Sequence, residues 1–407
     1  MRYLIFILPI LLYSQTLQEL FQSADANNGL IHSQKEQLQA KGHELESAKG
    51  AYVPTLDVGA LYQRYDERSN FMPGSTYGAY VRLGLSIYDG GAKSSAVTQK
   101  SSEQKSRQYS LEAKRQELYL AITQDFFTLR SLHASLEAYE QSQKLLQAQL
   151  ERVKAFLEAR VATEDEVDRL QAAFDTNLFE IESLRLEIIR VQKSLELRSG
   201  LALSDTPQSR FIAPSDLEGG ELDSIQALRL QADAMREAAE SIESHYYPNI
   251  SLEDTYSFYG YADYDATHPK GVDNQNKLLV TMNIRLFDYG VLDEQSQAVR
   301  LGAKALQSQA DYYAQEQQMQ RSLSEHRIKA SELKIKSAQS ALRAASSALE
   351  SITKKFSAGI VDNVAFLDAL AAQTRAKALY ESSLNELQIA YALYYYFHAK
   401  NIEEYLQ

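Results

Sequence analysis

From Ala92 to Ser199 the chain contains neither glycine nor proline. Within that run the apolar residues recur at alternating spacings of three and four: Leu129, Leu132, Leu136, Tyr139, Leu146, Leu150, Val153 and Leu157, interrupted at Gln143. This is a heptad seam, the pattern of helices that supercoil against neighbours. From Gly91 to Ala159, at 1.5 Å per residue, the helix would be roughly 100 Å long. No single globular domain holds such a helix, so the fold must be elongated. The seam resumes after a break as Val167, Leu170, Phe174, Ile181, Leu184, Ile188, Val191 and Leu195.

The chain then does the same thing again, and a repeat at this scale governs the whole reading. "SIYDGG" (Ser86–Gly91) returns as "RLFDYG" (Arg285–Gly290), with Asp89 and Asp288 standing 199 positions apart. "YVPTL" (Tyr52–Leu56), with Pro54, returns as "YYPNI" (Tyr246–Ile250), with Pro248, at an offset of 194. "ARVATEDEV" (Ala159–Val167) aligns with "AGIVDNVAF" (Ala358–Phe366), again at 199. The extra residues of the second copy therefore fall in a loop between its two strands. Each half reads as a helix, two strands, a long helix, a break and a second long helix. The divisions are a leader at 1–14, a first repeat at 15–200, a linker at 201–223 and a second repeat at 224–407.

The strands are marked by period-two alternation. Ala79, Val81, Leu83, Leu85 and Ile87 alternate with Gly78, Tyr80, Arg82, Gly84 and Ser86. Leu278, Val280, Met282, Ile284 and Leu286 alternate with Leu279, Thr281, Asn283 and Arg285. Weaker strands run through Leu56, Val58, Ala60 and Tyr62 and through Ile250, Leu252, Tyr256 and Phe258, where Asp254 interrupts the pattern. Polar loops, "DERSNFMPGS" and "GYADYDATHPKGVDN", separate the members of each pair. Strands of about 10 residues have the length of a tilted transmembrane strand. The tyrosines on and beside them are placed for the aromatic girdles of a membrane interface.

The N-terminal "MRYLIFILPILLYSQT" has one Arg ahead of an apolar run from Tyr3 to Tyr13. That run is about half the ~20 residues a spanning helix requires. It reads as a secretory leader cleaved near Ser14. No other stretch is apolar enough to cross a membrane as a helix, so strands are expected to make the crossing. A formal charge of −12 disfavours nucleic acid as a partner. With no cysteine there is neither a disulfide framework nor thiolate metal chemistry. The seven histidines form no metal-ligand pair, and "GGAKSS" lacks the spacing of a phosphate-binding loop. Neither catalysis nor a cofactor is expected.

At each junction a strand becomes a helix. Asp89 and Asp288 are placed to cap the new helix, and Gly90, Gly91 and Gly290 allow the turn. The residues that follow are soluble, so each junction marks a membrane boundary. Four strands cannot close a barrel, and known transmembrane barrels start at about eight. Oligomerisation is therefore expected. The hairpin bends at Arg160–Thr163 and Gly359–Asp362 are expected to lie farthest from the strands.

In its leader, its doubled "YVPTL" and "IYDGG" blocks, its bend segments and its layout, the sequence resembles the TolC-type outer-membrane efflux proteins. The resemblance covers nearly all of the chain after the leader. It implies a mostly helical fold with a transmembrane β part: helical hairpins forming a periplasmic α-barrel, and a homotrimer whose strands form a shared 12-stranded barrel in outer-membrane lipid. It also implies an inner-membrane pump (RND or ABC type) and a periplasmic adaptor as partners, export of drugs, metals or proteins, and no catalysis. A channel-free periplasmic coiled-coil scaffold or adaptor is the alternative, and the four symmetric strands argue against it.

In that family the far bends close the pore with rings of acids. The corresponding residues here are Asp165, Glu166, Asp362 and Asp368. "FLDA" with Asp368 matches the family's "VLDA", whereas Ala365 stands where the family often has a second aspartate. Three copies of one acid would make a ring that attracts cations. The simpler role for Glu166 and Asp362 is helix capping, since Thr163 and Glu166 have capping-box spacing. Asp368 lies two turns into its helix, where capping does not account for it.

Overall fold

The structure is a computed structural model, and it describes residues 16–67, 74–203, 207–215, 218–262 and 271–407. The leader lies outside these residues, as do parts of both inter-strand loops and of the linker. The chain divides into two compact units, one of residues up to 34, 111–223 and 314–407, the other of residues 35–110 and 224–313.

Two helices, α1 (Leu17–Asn27) and α2 (Gly29–Gly50), precede the first strand where the sequence reading placed one. Asn28 makes the division. Its backbone turns extended, and its Oδ1 accepts hydrogen bonds from the N–H groups of Leu30 (2.9 Å) and Ile31 (3.3 Å), which restarts the helix. Strands β1 (Thr55–Arg64) and β2 (Ser75–Asp89) follow, then α3 (Ala92–Glu158) and α4 (Glu164–Ser199). The second repeat supplies α5 (Asp223–Glu243), β3 (Asn249–Ala262), β4 (Asn274–Asn283), α6 (Val291–Ser357) and α7 (Asn363–Phe397). The matching helices α3 and α6 are each 67 residues long.

The second of these units contains an antiparallel sheet in the order β1-β2-β3-β4, with β1 and β4 at its edges; two hairpins, β1-β2 and β3-β4, meet along β2 and β3. The ladders place Val58 opposite Val81, Val81 opposite Tyr256, and Tyr256 opposite Asn276. One face therefore collects the apolar set, including Leu56, Val58, Val81, Leu83, Val280 and Met282, all exposed. The other face carries Asp57, Arg82, Glu253, Thr255 and Lys277. This register divides the tyrosines of the girdle expectation: Tyr62, Tyr77 and Tyr256 share the apolar face, while Tyr80, Tyr259 and Tyr261 lie on the polar one. Tyrosines also cover glycines across the strands. A Cβ on Gly59 would meet the Tyr80 ring at 2.4 Å, and one on Gly260 would meet the Tyr77 ring at 2.3 Å.

β4 stops at Asn283, although its alternation continues to Leu286. The reason is the partner: β3 begins at Asn249, which lies opposite Asn283, so β4 has no own-chain strand beyond that point.

The other unit packs helices around aromatic side chains. Phe21 stacks on Tyr119 at 4.4 Å, and Phe126 and Phe127 are fully buried nearby in sequence. The linker takes part in this core. Phe211 packs between Phe127 and Tyr395, and Arg210 and Gln407 exchange backbone hydrogen bonds at 3.1 and 2.7 Å. The aromatic end of α7 is core packing: Tyr391, Tyr394 and Tyr395 are buried, and Tyr394 stacks on His398 at 3.9 Å.

Candidate functional site

Three features have the makings of a site: the open sheet, the two strand-to-helix junctions and the two hairpin ends.

The junctions share one set of hydrogen bonds. Asp89 Oδ1 accepts from the Gly91 N–H at 3.2 Å and Oδ2 from the Lys93 N–H at 3.0 Å. Asp288 Oδ1 accepts from the Gly290 N–H at 3.0 Å and Oδ2 from the Leu292 N–H at 3.1 Å. Each carboxylate thus satisfies the unpaired amides of a helix start, where the helix dipole also favours negative charge. Each turn uses two residues of positive φ: Gly90 (70°) and Gly91 (94°), then Tyr289 (58°) and Gly290 (80°). The second junction has one further donor, the Tyr246 hydroxyl, at 2.9 Å from Asp288 Oδ1. Burial alone would raise the Asp288 carboxyl. The Leu292 N–H, the Tyr246 hydroxyl and the Gly290 N–H outweigh it and hold the group below the usual carboxylate range. Pro54 and Pro248 each stand immediately before a strand, β1 and β3, where no ladder donor is needed.

On the polar face of the sheet Arg82 pairs with Glu253 at 3.5 Å and lies over the Tyr80 ring. Asp254 is out of place. It shares the apolar face with Leu83 and Leu278 beside it, and its Oδ1 is buried without a hydrogen-bond partner among the described residues. This is the residue that broke the alternation of the third strand.

The hairpin ends are built from a shared core of Leu146, Leu150, Val153, Leu170, Phe366 and Leu370. Phe356 stacks on Phe366 at 5.2 Å. Arg160 (φ 60°) and Gly359 (φ 71°) turn the two bends. Glu166 Oε2 accepts from the Thr163 N–H at 3.2 Å, and Asp362 Oδ1 accepts from the Ala365 N–H at 3.0 Å. Asp165 is exposed and paired with Arg169 at 2.9 Å. Asp368 is exposed too and forms no ion pair among the described residues. It borders a cleft of about 450 Å³ that Tyr139, Asn177, Glu180 and Arg375 also line. The two bends are joined by Asn363, whose Nδ2 donates to the Glu166 backbone carbonyl at 3.0 Å. Sequence reasoning passed over Asn363, and its position next to the cap residue Asp362 was the one available signal.

Among the described residues no group of three or more His, Asp or Glu is placed to hold a metal ion. No helix among them is long and apolar enough to cross a membrane.

A sheet with one exposed apolar face and two open edges, in a chain otherwise made of heptad hairpins, defines a barrel-forming membrane subunit. Residues 20–200 match the family model described as outer membrane efflux protein. That match spans the first half of the chain and agrees with the TolC-type class that its repeated motifs resemble. Members of that family are passive channels of the outer membrane and not enzymes. Solved structures share its fold. The outer membrane protein VceC from Vibrio cholerae is 14% identical, with a TM-score of 0.83 over 95% of this chain and 96% of its own. CusC is 12% identical, with a TM-score of 0.83 over 96% and 93% of the two chains. The Campylobacter jejuni CmeC outer membrane channel is 14% identical, with a TM-score of 0.81 over 95% and 88%. Comparison of the sequence with curated proteins gives no match.

Proposed function

We propose that the protein is the outer-membrane exit duct of a tripartite export system and works as a homotrimer. The observation that carries this reading is the sheet: an apolar exposed face, a polar opposite face, and backbone unpaired along β1 and β4. Open edges are not viable in hydrocarbon, and about eight strands is the smallest transmembrane barrel. Three copies supply twelve strands and leave no edge. The duct is passive. An inner-membrane pump of RND or ABC type, joined through a periplasmic adaptor, supplies the substrate and the energy.

The hairpin ends are the gate of this duct, and Asp368 is its principal acid. Glu166 and Asp362 already serve as caps and Asp165 is paired, whereas Asp368 is exposed and has no counter-ion among the described residues. Three copies around an axis would bind cations and resist anions. The test has two parts. The protein should fractionate with outer membranes and cross-link as a trimer; a stable monodisperse monomer in membranes would sink the duct. In planar bilayers Asp368→Asn should lower cation preference and weaken block by multivalent cations with assembly unchanged. Unaltered selectivity and block would remove Asp368 from the gate.

A further inference from the structure

We propose that β4 of one copy pairs with β1 of the next at a stagger of six residues, which sets Leu279 of one copy opposite Leu61 of the next. The inference rests on the trimer reading above and adds its register.

The ladders define a row across the sheet: Asp57 lies opposite Arg82, Arg82 opposite Thr255, and Thr255 opposite Lys277. With no stagger, the row would close with Lys277 opposite Asp57 of the next copy, and the strands would run parallel to the barrel axis. Closure into a barrel demands tilt, and tilt demands stagger. The stagger must be even, because an odd one would turn the apolar face of the next copy inward. It must run towards Arg64, because a shift the other way carries β4 past Thr55, the start of β1.

Magnitude narrows the choice. Four strands about 4.8 Å apart span roughly 19 Å, and each residue advances about 3.4 Å along the strand. Staggers of four, six and eight residues then give tilts of about 35°, 45° and 55°, against the usual window of about 35–45°. Eight is too steep, and side chains decide between four and six. At four, Lys277 faces Leu61 and Asn276 faces Tyr62. At six, Val58 faces Met282, Ala60 faces Val280, and the exposed polar-face Leu279 meets Leu61. Six also explains why the alternation of β4 outlasts its own partner. Thr55 of the next copy falls opposite Arg285, so Ile284 and Arg285 gain the ladder that β3 cannot provide.

The chain has no cysteine, so engineered pairs report on a clean background. Full-length Leu61→Cys/Leu279→Cys, oxidised in outer membranes, should form a covalent trimer. Directly opposed residues have Cα atoms ~4.5–5.5 Å apart, within disulfide reach, and a two-residue slip moves them to about 7–8 Å. The yield should exceed that of Leu61→Cys/Lys277→Cys or Leu61→Cys/Thr281→Cys by at least about tenfold. Val58→Cys/Met282→Cys tests the same register on the opposite face, should the first pair assemble poorly. If either alternative pair links best, or a trimer forms and neither six-residue pair links, the register is overturned and the duct stands. If no pair links and the protein runs as a monomer, the trimer reading itself has failed.

Discussion

The two strand-to-helix junctions use the same hydrogen bonds but differ in what covers them. A Cβ on Gly90 would meet the Ser244 carbonyl oxygen at 2.4 Å and Tyr247 Cβ at 2.6 Å. Gly90 is thus excluded from carrying a side chain twice, by its positive φ and by the second repeat packed against it. At the second junction the equivalent residue is Tyr289, which bears the same kind of φ and is 89% exposed. Only the backbone angle opposes a side chain there, at about 1–2 kcal/mol. The difference teaches that a repeated motif is held to glycine by its cover more than by its conformation.

The largest effect expected from this contrast is at Gly90. Gly90→Ala should destabilise the trimer by about 3 kcal/mol or more, or block its assembly, because backbone and not a flexible side chain must yield. Gly290→Ala meets nothing within 4 Å and should cost about 1–2 kcal/mol, all of it from φ. Thermal unfolding of both variants in detergent measures the gap, and equal losses would break the comparison.

Next come the caps. Asp89→Ala and Asp288→Ala should each cost about 1–2 kcal/mol. Asp288→Ala should lose slightly more, since the Tyr246 hydroxyl is left without its acceptor. A reversed order would show that the hydroxyl contributes nothing.

The smallest effect is in acid. The Asp288 carboxyl is held below its unfolded value, so its contribution is present above the unfolded pKa and is lost as pH falls through the lowered one. Tyr246→Phe removes one of the bonds that lower it. The acid-side loss of stability from this group should then be smaller, and be complete at a higher pH, than in the parent protein. Melting curves between pH 5 and 2 check the order, and coincident curves would contradict it.

Much of this architecture was legible because it follows from local rules. A heptad seam without breakers specifies a long helix, and alternation ending in Asp-Gly-Gly specifies a strand that becomes a helix. What escaped depended on contacts distant in sequence. Phe211 belongs to the core because Phe127 and Tyr395 flank it, although its neighbours in sequence read as linker. β4 was read through Leu286 because alternation describes what a strand is fit for, while its observed end depends on which partner is present. At the hairpin ends the acids were named by the resemblance to the efflux family. Capping by Glu166 and Asp362 was legible from spacing, and the Thr163 and Ala365 hydrogen bonds agree with it, whereas the ion pair of Asp165 with Arg169 required the structure.

The bond from Asn363 to the Glu166 carbonyl has a mechanical consequence. Asn363 is only 3% exposed, so water does not readily replace that partner. Displacing one bend without the other by more than about an ångström would strand a buried amide, at a cost of about 1–3 kcal/mol. The two bends therefore form a single stiff lever with one pivot, and a force applied to either hairpin is felt at both.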